Sequence, residues 1–519
     1  MAKLTNWNPE DPQAWEQGAS KTSWRNLAIS VPCLLCAFAV WMFWSVLTVQ
    51  MKRVGFPFTD PQLFTLIAVA GITGATLRIP SSFLVALSGG RNVIALTTGL
   101  LIIPAVGAGS AVQNLNTPFS TFVVLAALSG IGGGNFASSM SNISFFFPKR
   151  MAGTALGLNA GVGNLGVSIM QLVMPILVTI PLFGVAHDLI TPRTTVLGGH
   201  QIWIQNGPFV WAPILGALAL TAWFTMDNLP GQDADNTFLA VLKILGLHVL
   251  GFAAAFAGIY LLLHFKLSQW VVLPFTILLT MGLLKSLPGR VKAGLDSQFV
   301  IFSKKDNWLM TVLYLMTFGS FIGFSSALPL LISVVFGKLP NGQLNPNLPN
   351  PLAYAWIGPL VGSIARPVGG WLSDLFQGSR VTLWSTVLMI LGALGVAHFI
   401  PLAMHSPTPE IFFPPFLALF LLLFLASGIA NGSTFQMVPM LFEPKEAGPV
   451  LGWISAIAAY GAFIVPSVFK TQVANGTPQA AFRGFAVYYL LCLCVTWWFY
   501  ARSGSALTRK VREQRADSN

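Results

Sequence analysis

The feature that most constrains this chain is a succession of long apolar stretches with little between them. A helix needs about 20 mostly apolar residues to cross the hydrocarbon of a bilayer. Stretches of that kind are read at roughly 26–50, 61–88, 92–112, 117–146, 151–182, 207–226, 237–264, 268–287, 308–337, 352–375, 380–402, 411–441, 447–470 and 482–502, fourteen in all. Only 8% of the 519 residues are charged, against about 25% in an average soluble domain. A chain so poor in charge cannot clothe a soluble surface, so lipid must be its solvent. The expected fold class is an all-α membrane protein.

The net charge of +12 would suggest nucleic acid in a soluble protein. Here the basic residues fall in short loops and at the C-terminus, no nucleic-acid motif is present, and membrane topology accounts for them. Lys149 and Arg150 follow the fourth stretch. Lys285, Arg290, Lys292, Lys304 and Lys305 follow the eighth, and Arg502, Arg509, Lys510, Arg512 and Arg515 follow the last. An even count with both termini cytoplasmic places all three clusters inside, leaving Lys52 and Arg53 as exceptions. Asp227, Asp233 and Asp235 are then also cytoplasmic, but acids weigh little in that rule. The polar first 25 residues do not read as a cleavable signal peptide.

The sequence also repeats itself. Thr76–Arg91, TLRIPSSFLVALSGGR, matches Ile364–Arg380, IARPVGGWLSDLFQGSR. SGIGGGNF (Ser129–Phe136) matches SGIANGSTF (Ser427–Phe435), and FPKRMAGTALG (Phe147–Gly157) matches FEPKEAGPVLG (Phe442–Gly452). Two similar six-helix halves, a pattern that resembles the major facilitator superfamily, suggest a site where the halves meet. The expected organisation is a tail at 1–25, a bundle at 26–230, an inserted hairpin with a basic linker at 231–306, a second bundle at 307–502, and a basic tail at 503–519. The hairpin, at about 237–287, carries Lys243, His248, His264 and Lys266. It reads as an accessory element packed outside the bundles, with His248 satisfied or facing water rather than relaying protons.

Arg78 and Arg366 occupy matching places in this repeat, each well inside an apolar stretch. A charge at a helix centre costs about 2.5–3.5 kcal/mol on insertion scales, so it normally faces a cavity or a partner. The acidic residues all lie in tails, loops or stretch ends. The counter-ion of the two arginines is therefore expected to be the substrate. A guanidinium donates a fork of parallel hydrogen bonds that fits planar oxyanions; nitrate, nitrite, carboxylates and phosphate all answer to that. The lack of a buried acid to carry a proton favours exchange of one anion for another.

Glycines give a second signal. Gly153, Gly157 and Gly161 are spaced by four and are followed by Gly163 and Gly166; Gly428, Gly432, Gly448 and Gly452 form a similar set in the second half. Such spacing lets helix backbones approach closely, for packing or for the rocking of one bundle on another. Asp374 and Arg380 resemble the loop motif of the superfamily, whereas the first half has SGGR, Ser88–Arg91, without the acid. Cys33 and Cys36 lie in an apolar helix without polar or histidine partners and, like Cys492 and Cys494, read as packing residues. No catalytic or metal-ligating cluster is read, and no cofactor is expected.

The stretch GGNFASSMSNISFFFPKRMAGTALGLNAGVGNLG, Gly133–Gly166, resembles the first nitrate signature of the nitrate/nitrite porter family, and GIANGSTFQMVPMLF, Gly428–Phe442, resembles the second. Thr317–Ser325 and Gly358–Asp374 are similar to the same family. The resemblance implies that Arg78 and Arg366 clamp a planar anion, that Phe136 and Phe435 sandwich its faces, and that Asn164 and Tyr314 orient hydrogen bonds at its edge. The chain departs from the family's pattern in its extra hairpin and in a longer loop at about 337–351. The implied function is nitrate/nitrite exchange by alternating access in a bacterial inner membrane. Proton-coupled nitrate symport and transport of other anions are the alternatives. The expected partners are nitrate, nitrite and the lipid bilayer, and a monomer is expected.

Overall fold

The computed structural model of the chain describes residues 7–190, 200–230, 236–289, 292, 293, 296 and 300–503. Asp233, Asp235, Arg290, Arg509, Lys510, Arg512 and Arg515 lie outside the described residues, as do the side chains of Lys149 and Arg150. Among the described residues the regular structure is helical apart from one two-stranded antiparallel ladder, His187–Asp188 with Gln201–Ile202, and an isolated antiparallel bridge between Lys338 and Leu344.

Every apolar stretch read from the sequence is helical over most of its length. Among the described residues, twelve helical segments are long and apolar enough to cross a membrane. The Gln269–Lys285 helix, at 17 residues, is shorter. The Ile357–Phe376 helix, which carries Arg366 and Asp374, is also not among the twelve.

Several stretches are broken rather than continuous. The fourth, for example, is Phe119–Ser129 followed by Ile131–Phe146. The spans tolerate hydroxyl residues because the hydroxyl bonds a carbonyl of the preceding turn. Thr73 Oγ1 donates to Val69 O at 2.6 Å, and Ser325 Oγ to Phe321 O at 2.7 Å. No polar atom of those side chains then needs water inside the apolar zone.

The chain divides into two compact units, one built mainly from residues up to Ser297, the other from Gln298 onward together with Phe58–Ala68. In the first, Ser20–Met42 packs against Ile131–Phe146 and Lys149–Leu177, and Gly90–Leu100 against Trp211–Thr225. Thr237–Leu263 packs along Gln269–Lys285. In the second, Ile357–Phe376 and Gly378–Met404 both pack on Phe413–Leu441, and Ser320–Phe336 packs on Gly461–Ala474.

Helix ends are tied down by polar contacts that the apolar pattern does not reveal. Asp227 accepts from Arg25 and, at 3.3 Å, from Asn26 Nδ2, tying the end of Trp211–Thr225 to Ser20–Met42. Lys304 Nζ meets Glu446 Oε1 at 2.6 Å, and Glu446 also closes a capping box with Glu443 at the start of Pro444–Ala459. The long loop after Phe336 is pinned by Glu410, which accepts from Asn345 and Asn347 at 3.3 and 3.1 Å.

Candidate functional site

Arg78 lies on the Asp60–Ser88 helix and is 1% exposed. Three rings surround its guanidinium: Phe136 at 4.6 Å from Cζ to ring centroid, Trp41 at 5.4 Å and Phe38 at 5.8 Å. Each is within cation–π range, and the attraction gains strength where water is excluded. Nε donates to the carbonyl of Gly133 at 2.9 Å, which fixes the plane of the guanidinium. The sequence permits this bond because Gly133 has no side chain. A Cβ there would stand 2.7 Å from Gly74 Cα and 2.7 Å from Trp41 Cε2. The Ile131–Phe146 helix can thus lie backbone to backbone on the Asp60–Ser88 helix, and Phe136 comes down beside the arginine.

The second unit repeats the arrangement with different neighbours. Arg366 Cζ stands 5.4 Å from the Phe435 ring, and Nη2 donates to the Tyr314 hydroxyl at 3.3 Å. Nη1 is buried without a hydrogen-bond partner among the described residues. Tyr314 is itself 1% exposed, stacked on Phe318 at 6.0 Å and tilted against Phe435 at 6.4 Å. Immediately after Tyr314 the helix widens into a π-helical turn, Leu315–Gly319, a geometry that recurs at functional sites. Gly432, on Phe413–Leu441, again backs onto the arginine helix. A Cβ on it would collide with the carbonyl oxygen of Arg366 and stand 2.7 Å from Gly370 N.

Within its own unit, each arginine is thus brought together with its matched phenylalanine, and Tyr314 joins Arg366. Asn164 sits on Lys149–Leu177, 2% exposed, and its Oδ1 has no hydrogen-bond partner among the described residues. Its neighbours Gly163 and Gly166 seat that helix on Leu34 and Leu35 of Ser20–Met42. The glycines fall into two classes. Gly163, Gly166, Gly428 and Gly432 sit at close helix contacts, whereas a Cβ at Gly153, Gly157, Gly161, Gly448 or Gly452 would meet nothing within 4 Å.

Sequence reasoning missed Phe38 and Trp41, whose only signal is an aromatic-rich first span, and it missed the hydroxyl pair Thr317 and Thr434, 3.3 Å apart. Arg91 donates twice to Asn92 Oδ1, at 3.3 and 3.2 Å, and stacks on Trp223 at 5.0 Å. Asp374 accepts from Gln436 at 3.3 Å. The place before the following helix is held by Gly89 at φ 80° in the first half and by Gln377 at φ 77° in the second. His248 is buried, with Nδ1 2.9 Å from Ile244 O and Nε2 without a partner among the described residues. The four cysteines are free.

No protein-family model matches the chain. Among curated proteins it is similar to a probable nitrate/nitrite antiporter of Thermus thermophilus, 39% identical over 506 residues and 97% of each chain. It is also similar to the nitrate/nitrite transporter NarU of Escherichia coli K12, 36% identical over 521 residues and 96% of each chain. A nitrite extrusion protein of Bacillus subtilis is 22% identical over 478 residues, covering 91% of this chain and 94% of that one. Among solved structures it resembles a bacterial homologue of the human drug peptide transporters, with TM-score 0.55 and 13% identity over 95% of this chain and 99% of that one. It also resembles a POT family transporter, with TM-score 0.57 and 13% identity over 89% and 94%. At that identity the likeness is one of fold.

Proposed function

The chain belongs to the nitrate/nitrite transporter family of the major facilitator superfamily, and we propose that it exchanges nitrate for nitrite by alternating access, with Arg78 and Arg366 as the groups that hold the anion. The observation that carries the site assignment is the matched pair of guanidinium groups, that of Arg78 buried and that of Arg366 part-buried, each against the phenylalanine at the corresponding place of the repeat. Nitrate and nitrite are planar and spread one negative charge over their oxygens. A guanidinium edge answers that shape with parallel donors, and the flat faces of Phe136 and Phe435 suit the flat faces of the anion. Tyr314 holds Arg366 from one side and leaves Nη1 a donor to spare. Asn164, with a buried carboxamide, is assigned to the anion's edge.

The same chemistry favours exchange over symport. Arginine does not lose its proton in proteins. No carboxylate among the described residues pairs with Arg366. An empty site thus carries the part-buried positive charge of Arg366, costly to move through a low-dielectric barrier. An anion bound on each crossing neutralises it, so the carrier returns only when loaded again. The open glycine faces at Gly153, Gly157, Gly161, Gly448 and Gly452 are assigned to the rocking motion, since a helix without side chains on one face can slide against a neighbour. The chain crosses the membrane fourteen times with both termini cytoplasmic, Gln269–Lys285 and Ile357–Phe376 being the two spans that length and composition leave out, and the Thr237–Lys285 pair being an insertion between two six-helix halves.

Counterflow in proteoliposomes tests this reading. Vesicles are loaded with nitrite and labelled nitrate is added outside. Uptake is expected to require internal nitrite, to ignore an imposed proton gradient, and to be lost in both Arg78→Lys and Arg366→Lys, which keep the charge and lose the fork. Uptake into empty vesicles driven by a proton gradient would overturn exchange in favour of symport. Absence of nitrate flux in folded protein would overturn the substrate.

A further inference from the structure

The two arginine helices differ in one respect that the repeat makes measurable. Thr76, Pro80 and Phe83 correspond to Ile364, Val368 and Trp371 when Arg78 is set on Arg366. In the second half those positions are open, at 57%, 43% and 61% exposed. In the first half Thr76 is fully buried, Pro80 is buried and Phe83 is 8% exposed.

Part of the cover is the Thr237–Leu263 helix, which runs antiparallel to Asp60–Ser88 and meets it at three heights. Lys243 Nζ donates to the carbonyl of Leu87 at 3.3 Å. A Cβ on Gly251 would stand 2.7 Å from Leu77 Cδ2 and 3.2 Å from Pro80 Cγ. One on Gly258 would stand 3.3 Å from Ile72 Cδ1 and collide with Thr276 Oγ1 of the next helix.

The middle contact falls on the turn that carries Arg78. Pro80 has no N–H to offer the carbonyl four residues back, so the helix is intrinsically soft there. Softness at that turn lets the arginine wander, and a fork of hydrogen bonds tolerates only about 0.5 Å of displacement. In the second half Arg366 is followed at once by Pro367, which is exposed, so that turn has no such support.

We propose that the Thr237–Leu263 helix is a brace for the anion site, with Gly251 the positioning residue that seats it against Leu77 and Pro80 and thereby sets Arg78. This rests on the reading that Arg78 holds the anion. It gives the extra helical pair a part in transport: the brace keeps the first arginine helix rigid, and the flexing of the cycle falls on the unbraced helix of Arg366.

The test uses the full-length protein in nitrite-loaded proteoliposomes and compares Gly251→Val, Gly251→Ala, Gly251→Val with Leu77→Ala, and Gly246→Val. Gly246 lies on the same helix, where a Cβ would meet nothing within 4 Å. The expected result for Gly251→Val is a nitrate KM raised about 10-fold with maximal rate within about twofold, since a displaced arginine weakens binding before it slows the carrier. Removing the Leu77 side chain makes room and is expected to bring KM most of the way back; Gly246→Val is expected to leave it unchanged. Gly251→Ala is expected to raise KM about threefold, and it carries the test if the valine variant does not fold. A wild-type KM in a folded Gly251 variant overturns the brace. So does a rise that Gly246→Val reproduces, or one that Leu77→Ala does not relieve, because either outcome means general damage. Arg78→Lys in the same assay separates the two readings. If it transports like wild type, the arginine assignment fails and takes the brace with it. If it is inactive while the Gly251 variants are normal, only the brace fails.

Discussion

Gly432→Ala puts the packing account to a numerical test. The added methyl would collide with the carbonyl oxygen of Arg366 and lie 2.7 Å from Gly370 N and 3.1 Å from Gly369 C. Every one of these atoms is backbone, so no side chain can swing away. Ordinary contact needs about 3.5–4.0 Å, so Phe413–Leu441 and Ile357–Phe376 must part by about 1 Å. Overpacking of this kind costs about 1–3 kcal/mol, here at the upper end because the neighbours are rigid. Alanine returns about 1 kcal/mol of helix propensity over glycine, so the net loss of stability is about 2 kcal/mol. The same displacement carries Arg366 away from Phe435 and stretches its 3.3 Å bond to Tyr314 beyond hydrogen-bond range. Losing one charge-assisted hydrogen bond, about 1.5–3 kcal/mol, corresponds to a nitrate KM raised roughly 10- to 150-fold. Thermal unfolding in detergent and counterflow kinetics read the two effects separately. Gly452→Ala is the control, because a Cβ there meets nothing within 4 Å. A Gly432→Ala protein with wild-type melting temperature and wild-type KM would refute the reasoning from close approach.

Three further outcomes are expected. Tyr314→Phe removes the hydroxyl that accepts from Arg366; at 3.3 Å the bond is long, so a loss at the low end of the charge-assisted range, about 1.5 kcal/mol, and a KM about 10-fold higher are expected in counterflow. Gly157→Leu fills an open face and is expected to leave nitrate affinity unchanged, measured by nitrate-dependent thermal shift, while turnover falls about 10-fold; equal changes in both would remove the face from the rocking motion. Asp227→Ala takes the acceptor from Arg25 and Asn26, and because Arg25 is half exposed the expected loss is only about 1–2 kcal/mol in thermal unfolding, with KM unmoved.

What the sequence determined by itself is what lipid forces into the open. A bilayer demands long apolar helices, so the helical stretches are legible to within a few residues. It also makes a charge inside such a stretch expensive, so Arg78 and Arg366 stand out against their surroundings, and the repeat pairs them. Phe136 and Phe435 were legible through the resemblance to the nitrate/nitrite porters, and their recurrence across that repeat supports them as a pair.

What the sequence did not decide is which side of each helix faces which neighbour. In water an apolar stripe marks the buried face. In lipid both faces are apolar, and that signal is lost. Only the tertiary structure therefore set Phe38 and Trp41 beside Arg78 and aimed the Gly133 carbonyl at its Nε. It also divided one series of glycines into close contacts at Gly163, Gly166, Gly428 and Gly432 and open faces at Gly153, Gly157, Gly161, Gly448 and Gly452. The extra helices show the same limit. Their apolar length was plain, but Gly251 became meaningful only when its missing side chain was found pressed against Pro80, on the turn of Arg78.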